Sequence, residues 1–167
     1  MMNNYSYKSY HNNMKKENII KYGYPIGIVA IVALLGAIFT SKGLMWLESL
    51  DKPSVWVPGF VISIIWAIIY SLFAIYSLYL VNKNKLNQKV KTLLILGGFL
   101  NVLWCYIFFT MKSLLGGLIF IVFNLIESIL LIKEIYKTNK TWGYVLLIYP
   151  TWLTIATCLN LATWILN

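Results

Sequence analysis

The chain has 167 residues, of which 60% are hydrophobic and 11% charged, with a mean hydropathy of +0.74 and a formal net charge of +9. That much apolar surface exceeds what a soluble domain of this length can bury, so composition excludes an ordinary soluble fold and makes the chain an integral membrane protein. The positive charge comes entirely from Lys set between or beside apolar runs, a mark of membrane topology rather than of nucleic-acid binding.

Residues 1–23 read as a polar, disordered tail rich in Asn, Tyr and Lys, and residues 24–167 as a five-helix membrane domain. The apolar run that follows the tail, about Tyr22 to Thr40, is longer than a signal-peptide core, so a retained first span is expected over about 24–40. Its Gly and Ala residues allow a neighbouring helix to approach closely. A loop from Ser41 to Val57 follows, carrying Trp46, Trp56 and Pro53. Pro58 and Gly59 open a second span to about Val81, since proline costs least at a helix start.

A polar loop over 82–91 holds Lys83, Lys85, Lys89 and Lys91. The third span is expected over about 92–111, a tight turn at Lys112 and Ser113, the fourth span over about 114–132, a second basic loop over 133–141, and the fifth span over about 142–166. The fold class is therefore all-α, a bundle of five transmembrane helices. Eleven Lys lie in the tail and the two basic loops against three in the first loop and the 112–113 turn. This asymmetry predicts a cytoplasmic N-terminus in a bacterial plasma membrane.

Within the spans, polar groups stand among aromatic ones at helical spacing. Trp66, Tyr70 and Phe73 form one stripe; Asn101, Trp104 and Phe108 form another; Tyr149, Trp152, Ala156 and Asn160 form a third. Such stripes serve interhelical packing as readily as a ligand pocket. An indole, phenol or amide in hydrocarbon needs a partner, so these groups either converge on a ligand or bond one another. Trp142, Tyr144, Tyr136 and Trp164 lie near span ends and read as interfacial anchors. Glu127 is an acid inside a span, a functional candidate by position or a partner for Lys133 one and a half turns on.

Cys105 and Cys158 lie in spans and read as buried thiols, and the single His11 sits in the tail. No metal-ligand spacing is found, so neither metal nor cofactor is expected. No Ser-His-Asp, Cys-His or paired-carboxylate arrangement exists in the spans, so no residue is assigned as catalytic and the chain leans away from being an enzyme.

The motifs together resemble the tryptophan-rich sensory protein family, also called the TspO/MBR, translocator protein or peripheral-type benzodiazepine receptor family. Trp46, Leu50, Lys52, Pro53, Pro58, Phe60, Trp66 and Tyr70 match its first signature. Asn101, Trp104, Phe108 and Phe109 match the third-span signature, and Tyr149, Trp152, Ala156, Leu159, Asn160 and Trp164 match the fifth. The chain departs from the pattern at Val55, Val57, Ile148 and Phe120, and lacks the sterol-associated pattern at Leu161, Ala162 and Ile165.

The resemblance implies a receptor- or translocator-type protein with a pocket closed by the first loop. Its ligand would be a porphyrin or another flat apolar molecule, held by Trp46, Trp66, Tyr70, Asn101, Trp104, Phe108, Tyr149, Trp152, Ala156 and Asn160. It also implies membrane lipid around the bundle, a regulatory or transport role, and light-dependent porphyrin breakdown by pocket Trp residues as the alternative. A homodimer is a further expectation, and Gly97 and Gly98 offer a close-approach surface for it on the third span.

Overall fold

A computed structural model describes residues 4–83 and 87–167, with side chains described from residue 22 onward. The described backbone is helical, without strands: α1 (Asn4–Ser41), α2 (Leu44–Glu48), α3 (Gly59–Lys83), α4 (Gln88–Cys105), a π-helical turn (Tyr106–Thr110), α5 (Leu114–Thr138), α6 (Lys140–Val145) and α7 (Ile148–Leu166). Five stretches are long and apolar enough to cross a bilayer: 22–41, 59–83, 88–110, 114–138 and 140–166. They form the expected five-helix membrane bundle.

Helix α1 extends N-terminally past the expected start at Tyr24, and its membrane-length apolar part begins at Tyr22. Of the expected tail, residues 1–3 lie outside the described residues, as do the side chains up to residue 21. The 82–91 connection is shorter than expected, because α3 runs to Lys83 and α4 starts at Gln88; residues 84–86 lie outside the described residues. Asn87 caps α4 by accepting from the Lys89 amide.

The basic stretch after the fourth span is mostly helix rather than loop. Glu134 accepts from both Lys89 (2.9 Å) and Lys137 (2.7 Å), which carries α5 on to Thr138. Asn139 then caps α6 through the Trp142 amide at 3.1 Å.

The fifth span is broken where one helix was expected. Pro150 has no amide to offer the Leu146 carbonyl, and its ring would crowd that oxygen. Leu146 instead accepts from Tyr149, Leu147 donates to Tyr144, and the chain turns between α6 and α7. The turn at 112–113 forms as expected: Lys112 adopts φ 55°, and Ser113 caps α5 by accepting from Gly116 at 3.1 Å.

Around the bundle the helices follow the order α1, α3, α7, α5, α4 and back to α1. α5 packs broadly on α4 and α7, whereas α3 meets α7 mainly where Trp66 and Phe73 abut Tyr149. Gly97 and Gly98 are occupied within the chain. A Cβ at Gly97 would stand 2.6 Å from Glu127 Oε2, and one at Gly98 would stand 3.1 Å from Val32 Cγ2. Their close approach therefore serves α4–α5 and α4–α1 packing, which removes the motive for a dimer through this face. Large apolar side chains such as Ile64, Phe99, Phe123 and Ile165 cover the outside, as lipid contact requires.

Two ends of the bundle differ. One carries Lys83, Lys89, Lys91, Lys133, Lys137 and Lys140 and is termed the basic end; the other carries α2 and the C-terminus. At the latter, Asp51 and Asn167 exchange two hydrogen bonds of 3.1 and 3.0 Å, tying the first loop to the end of α7.

Candidate functional site

A cavity of about 370 Å³ lies between α1, α3 and α4, with Leu131 of α5 and Tyr149 of α7 behind it. In the C-terminal half of α1, a Cβ on Gly36 would sit 3.5 Å from the Tyr70 hydroxyl. Toward the basic end, a Cβ on Gly23 or Gly27 would meet nothing within 4 Å, and Tyr24, Pro25, Ile28 and Val29 line the cavity. The space between is a cleft under α1.

The deep wall of the cleft is aromatic. Trp66 and Tyr70, one turn apart on α3, stack at 5.5 Å, and Tyr149 presents its edge to Trp66 at 6.4 Å and to Phe73 at 5.2 Å. The Tyr70 hydroxyl donates to Asn101 Oδ1 at 2.8 Å. Asn101 is only 2% exposed, lines the cavity, and leaves its Nδ2 without a protein partner. Asn101 thus has one buried N–H₂ without a protein partner beside an apolar cavity. Between this wall and the basic end the lining is aliphatic, drawn from Val29 and Ile28 of α1, Leu80 and Val81 of α3, and Leu94 and Ile95 of α4.

The ten residues expected to bind ligand divide into two groups. Trp66, Tyr70, Asn101 and Tyr149 border the cavity. Trp104, Phe108 and Trp152 lie in the adjoining packed core, with Trp46 and Ala156 against it and Asn160 buried nearby. The two groups are continuous. Trp66 faces Trp104 at 6.4 Å, Trp104 stacks on Phe108 at 5.8 Å, and Phe108 meets Trp46 at 5.5 Å. An aromatic column thus runs from the cleft to the first loop. Trp104 and Trp152 keep their indole N–H groups unpartnered in that core, as does Asn160 its Oδ1.

The first loop does not border the cleft: no residue from 41 to 58 lines it. Trp46 is packed on Phe108 instead, Lys52 lies over the Trp56 ring at 5.8 Å, and the loop is tethered to Asn167. The first loop, expected as a lid, is therefore not part of this cleft, whose lining extends to Lys91 and Leu80 near the basic end. Trp142 is likewise more interior than an anchor, packed on Tyr76 and Tyr79 at 5.2 and 5.7 Å. Cys158 is exposed rather than buried, while Cys105 is buried.

Glu127 takes no part in an ion pair with Lys133. It is 3% exposed, pressed against Gly97, and neither carboxylate oxygen has a partner. One turn before it, Asn124 accepts from the Tyr149 hydroxyl at 2.9 Å. Glu127 stands behind the Gly97 backbone and does not line the cleft itself. Among the described residues, no group of three or more His, Cys, Asp or Glu could hold a metal ion.

Sequence reasoning missed the α1 wall, Ser77 and Lys91, which the cleft recruits. For α1 the signal was weak, since an apolar helix shows no face; Lys91 read simply as one of several loop lysines.

The sequence is similar to several proteins of other organisms. It is 31% identical over 153 residues to the tryptophan-rich protein TspO of Archaeoglobus fulgidus, covering 90% of this chain and 99% of that one. It is 27% identical over 155 residues to the tryptophan-rich protein TspO of Bacillus cereus, covering 92% and 99%. Protein CrtK of Rhodobacter capsulatus is 29% identical over 142 residues, covering 83% and 87%. A family model described as the TspO/MBR family matches residues 25–165, which covers most of each membrane-length helix and the whole aromatic column, and the chain belongs to that family.

Proposed function

We propose that this membrane protein binds a flat, largely apolar ligand of the porphyrin class in the cleft under α1, in a sensory or translocating role. One observation carries the reading: the buried, unpartnered Asn101 amide borders a cavity walled by Trp66, Tyr70 and Tyr149. Aromatic faces suit a flat π-system, at about 0.5–1.5 kcal/mol per well-placed pair beyond area burial. A single oriented donor then fixes the ligand's register, the usual economy of apolar pockets. The lining of the cleft extends to Lys91 and Leu80 near the basic end of the bundle, which fits uptake from that face or the adjoining leaflet.

The test is a porphyrin titration of purified protein in zwitterionic nanodiscs, read by quenching of Trp fluorescence. Saturable quenching is expected, and Asn101→Leu should weaken it about tenfold, the net value of one buried hydrogen bond. Unchanged affinity in a folded Asn101→Leu protein would remove the cleft as the site. The same titration under illumination addresses light-dependent breakdown, which the unbroken column from Trp66 to Trp46 favours as a second reading. A new absorbing product that needs both light and protein would support it; simple quenching would leave binding alone.

A further inference from the structure

We propose that a groove between α5 and α6 at the basic end binds one phospholipid with a net negative headgroup, its phosphate held by Lys133, Lys137 and a pair of tyrosine hydroxyls. The site is separate from the cleft under α1 and shares no lining residue with it, so it stands whether or not that cleft takes a ligand.

The groove has a volume of about 460 Å³ and is walled by two helices. On one side Ile132, Lys133, Tyr136 and Lys137 share a face of α5; on the other stand Gly143 and Tyr144 of α6, with Leu147 in the turn after it. Gly143 is buried, and a Cβ added to it would lie 2.8 Å from the Tyr136 Cα, so the two helices meet there and close the floor. Lys133, Lys137, Tyr144 and Leu147 are all exposed, which leaves the groove open along its length.

Polarity changes along the groove in the order it changes along a lipid. α5 ends and α6 begins at the basic end, so Lys137 lies outermost, while Ile132 and Leu147 lie deeper. Deeper still, the face of α5 that carries Lys133 and Lys137 continues through Leu130 and Ile126, 49% and 51% exposed. Both walls belong to membrane-length stretches. A soluble anion gains nothing from that apolar continuation, whereas an acyl chain lies along it while its phosphate stays with the lysines.

Charge sets the sign of the headgroup. Glu134 accepts from both Lys137 at 2.7 Å and Lys89 at 2.9 Å, so one carboxylate serves two ammonium groups. Lys133, one turn before Lys137, pairs with no described acid. Lys83 and Lys140 are equally unpaired, but neither borders the groove. Two lysines at i and i+4 repel each other, and an anion set between them removes the repulsion. The hydroxyls of Tyr136 and Tyr144 add a neutral donor. They lie 3.0 Å apart, which occupies one of their two protons and leaves the other to donate. A phosphate in the groove therefore meets two cations and a phenol at once, the composition by which basic pockets between membrane helices hold anionic head groups.

Native mass spectrometry of the full chain in detergent, titrated with phosphatidylglycerol or phosphatidylcholine, tests this. The wild type is expected to retain one phosphatidylglycerol with about tenfold preference over phosphatidylcholine. Lys133→Gln should weaken phosphatidylglycerol about fivefold, the worth of one lysine at an anionic surface, and leave phosphatidylcholine unchanged. Tyr144→Phe keeps the ring and should weaken phosphatidylglycerol about threefold through the lost hydroxyl. Lys83→Gln makes the same charge change at the same end outside the groove and should alter neither lipid. Each replaced side chain is exposed, so the variants keep the fold. Equal wild-type affinity for the two lipids, unchanged phosphatidylglycerol binding in Lys133→Gln, or an equal loss in Lys83→Gln would overturn the proposal. Unchanged binding in Tyr144→Phe would overturn the groove as the site and leave only a surface charge effect. Glycerol phosphate at millimolar concentration separates a lipid from a free phosphate: it should not displace phosphatidylglycerol, and displacement would mean a soluble-anion site instead.

Discussion

At the scale of single residues, the interior is organised by side chains that satisfy half of their hydrogen-bonding capacity and leave the rest. Tyr70 engages only the oxygen of Asn101, and Tyr149 only that of Asn124, so each amide keeps a free N–H₂. Interhelical bonds of this kind are worth less than burial suggests, averaging about 0.6 kcal/mol in membrane proteins. Their use here is positional: they fix which face of α4 and of α5 looks inward. Gly97 serves the same end by absence. Replacing it with Ala would set a Cβ 2.6 Å from Glu127 Oε2, inside any tolerable contact. Gly97→Ala is expected to destabilise the protein by about 1–3 kcal/mol through overpacking. Adding Glu127→Ala should recover most of that loss, because it deletes the atoms that collide. Thermal unfolding of the two single variants and the double variant in detergent checks this. A double variant no more stable than Gly97→Ala would mean that the carboxylate is not what the glycine accommodates.

At the scale of elements, local chemistry decides where helices start and stop, and packing decides what a loop is for. Asn87, Ser113 and Asn139 each cap a helix with a side-chain oxygen, and Pro150 breaks the last span by withholding an amide. Of these, the turn at Lys112 and Ser113 was read from the residues; the caps at Asn87 and Asn139 fell inside expected loops, and the last span was read as one helix. The first loop was not legible. Trp46 and Pro53 suit a lid as well as an anchor, and only the contact of Trp46 with Phe108 and the tie of Asp51 to Asn167 separate the two. Trp46→Ala should therefore lower the melting temperature, by about 2–4 °C per kcal/mol lost in a chain of this size. The porphyrin off-rate of the surviving folded protein should be unchanged. A faster off-rate at unchanged melting temperature would restore the lid.

At the scale of the whole molecule, charge and cavity share an end. From the Lys asymmetry we propose a bundle with α1's N-terminus in the cytoplasm. The basic end, which the cleft lining reaches at Lys91, would then face the cytoplasm and the first loop the outside. A single Cys placed at residue 42 in a protein lacking Cys105 and Cys158 should label with a membrane-impermeant reagent in intact cells, and one at residue 83 only after lysis. Labelling at residue 83 in intact cells would reverse the orientation. The sequence by itself determined the solvent, the five spans and the family. Those follow from hydropathy summed over about 20 residues and from motifs fixed in chain order, both of which survive without knowing any contact. It also named residues that border the cleft, since Trp66, Tyr70, Asn101 and Tyr149 were on its shortlist. Only the tertiary structure decided that Trp104, Phe108 and Trp152 are packed core, that Gly97 accommodates Glu127, and that Lys91 lines the cleft. The reason is physical. In a helix apolar on every side, periodicity does not say which face meets lipid and which a neighbour. The cleft lies between α1, α3 and α4, a property of helices against one another rather than of any one of them.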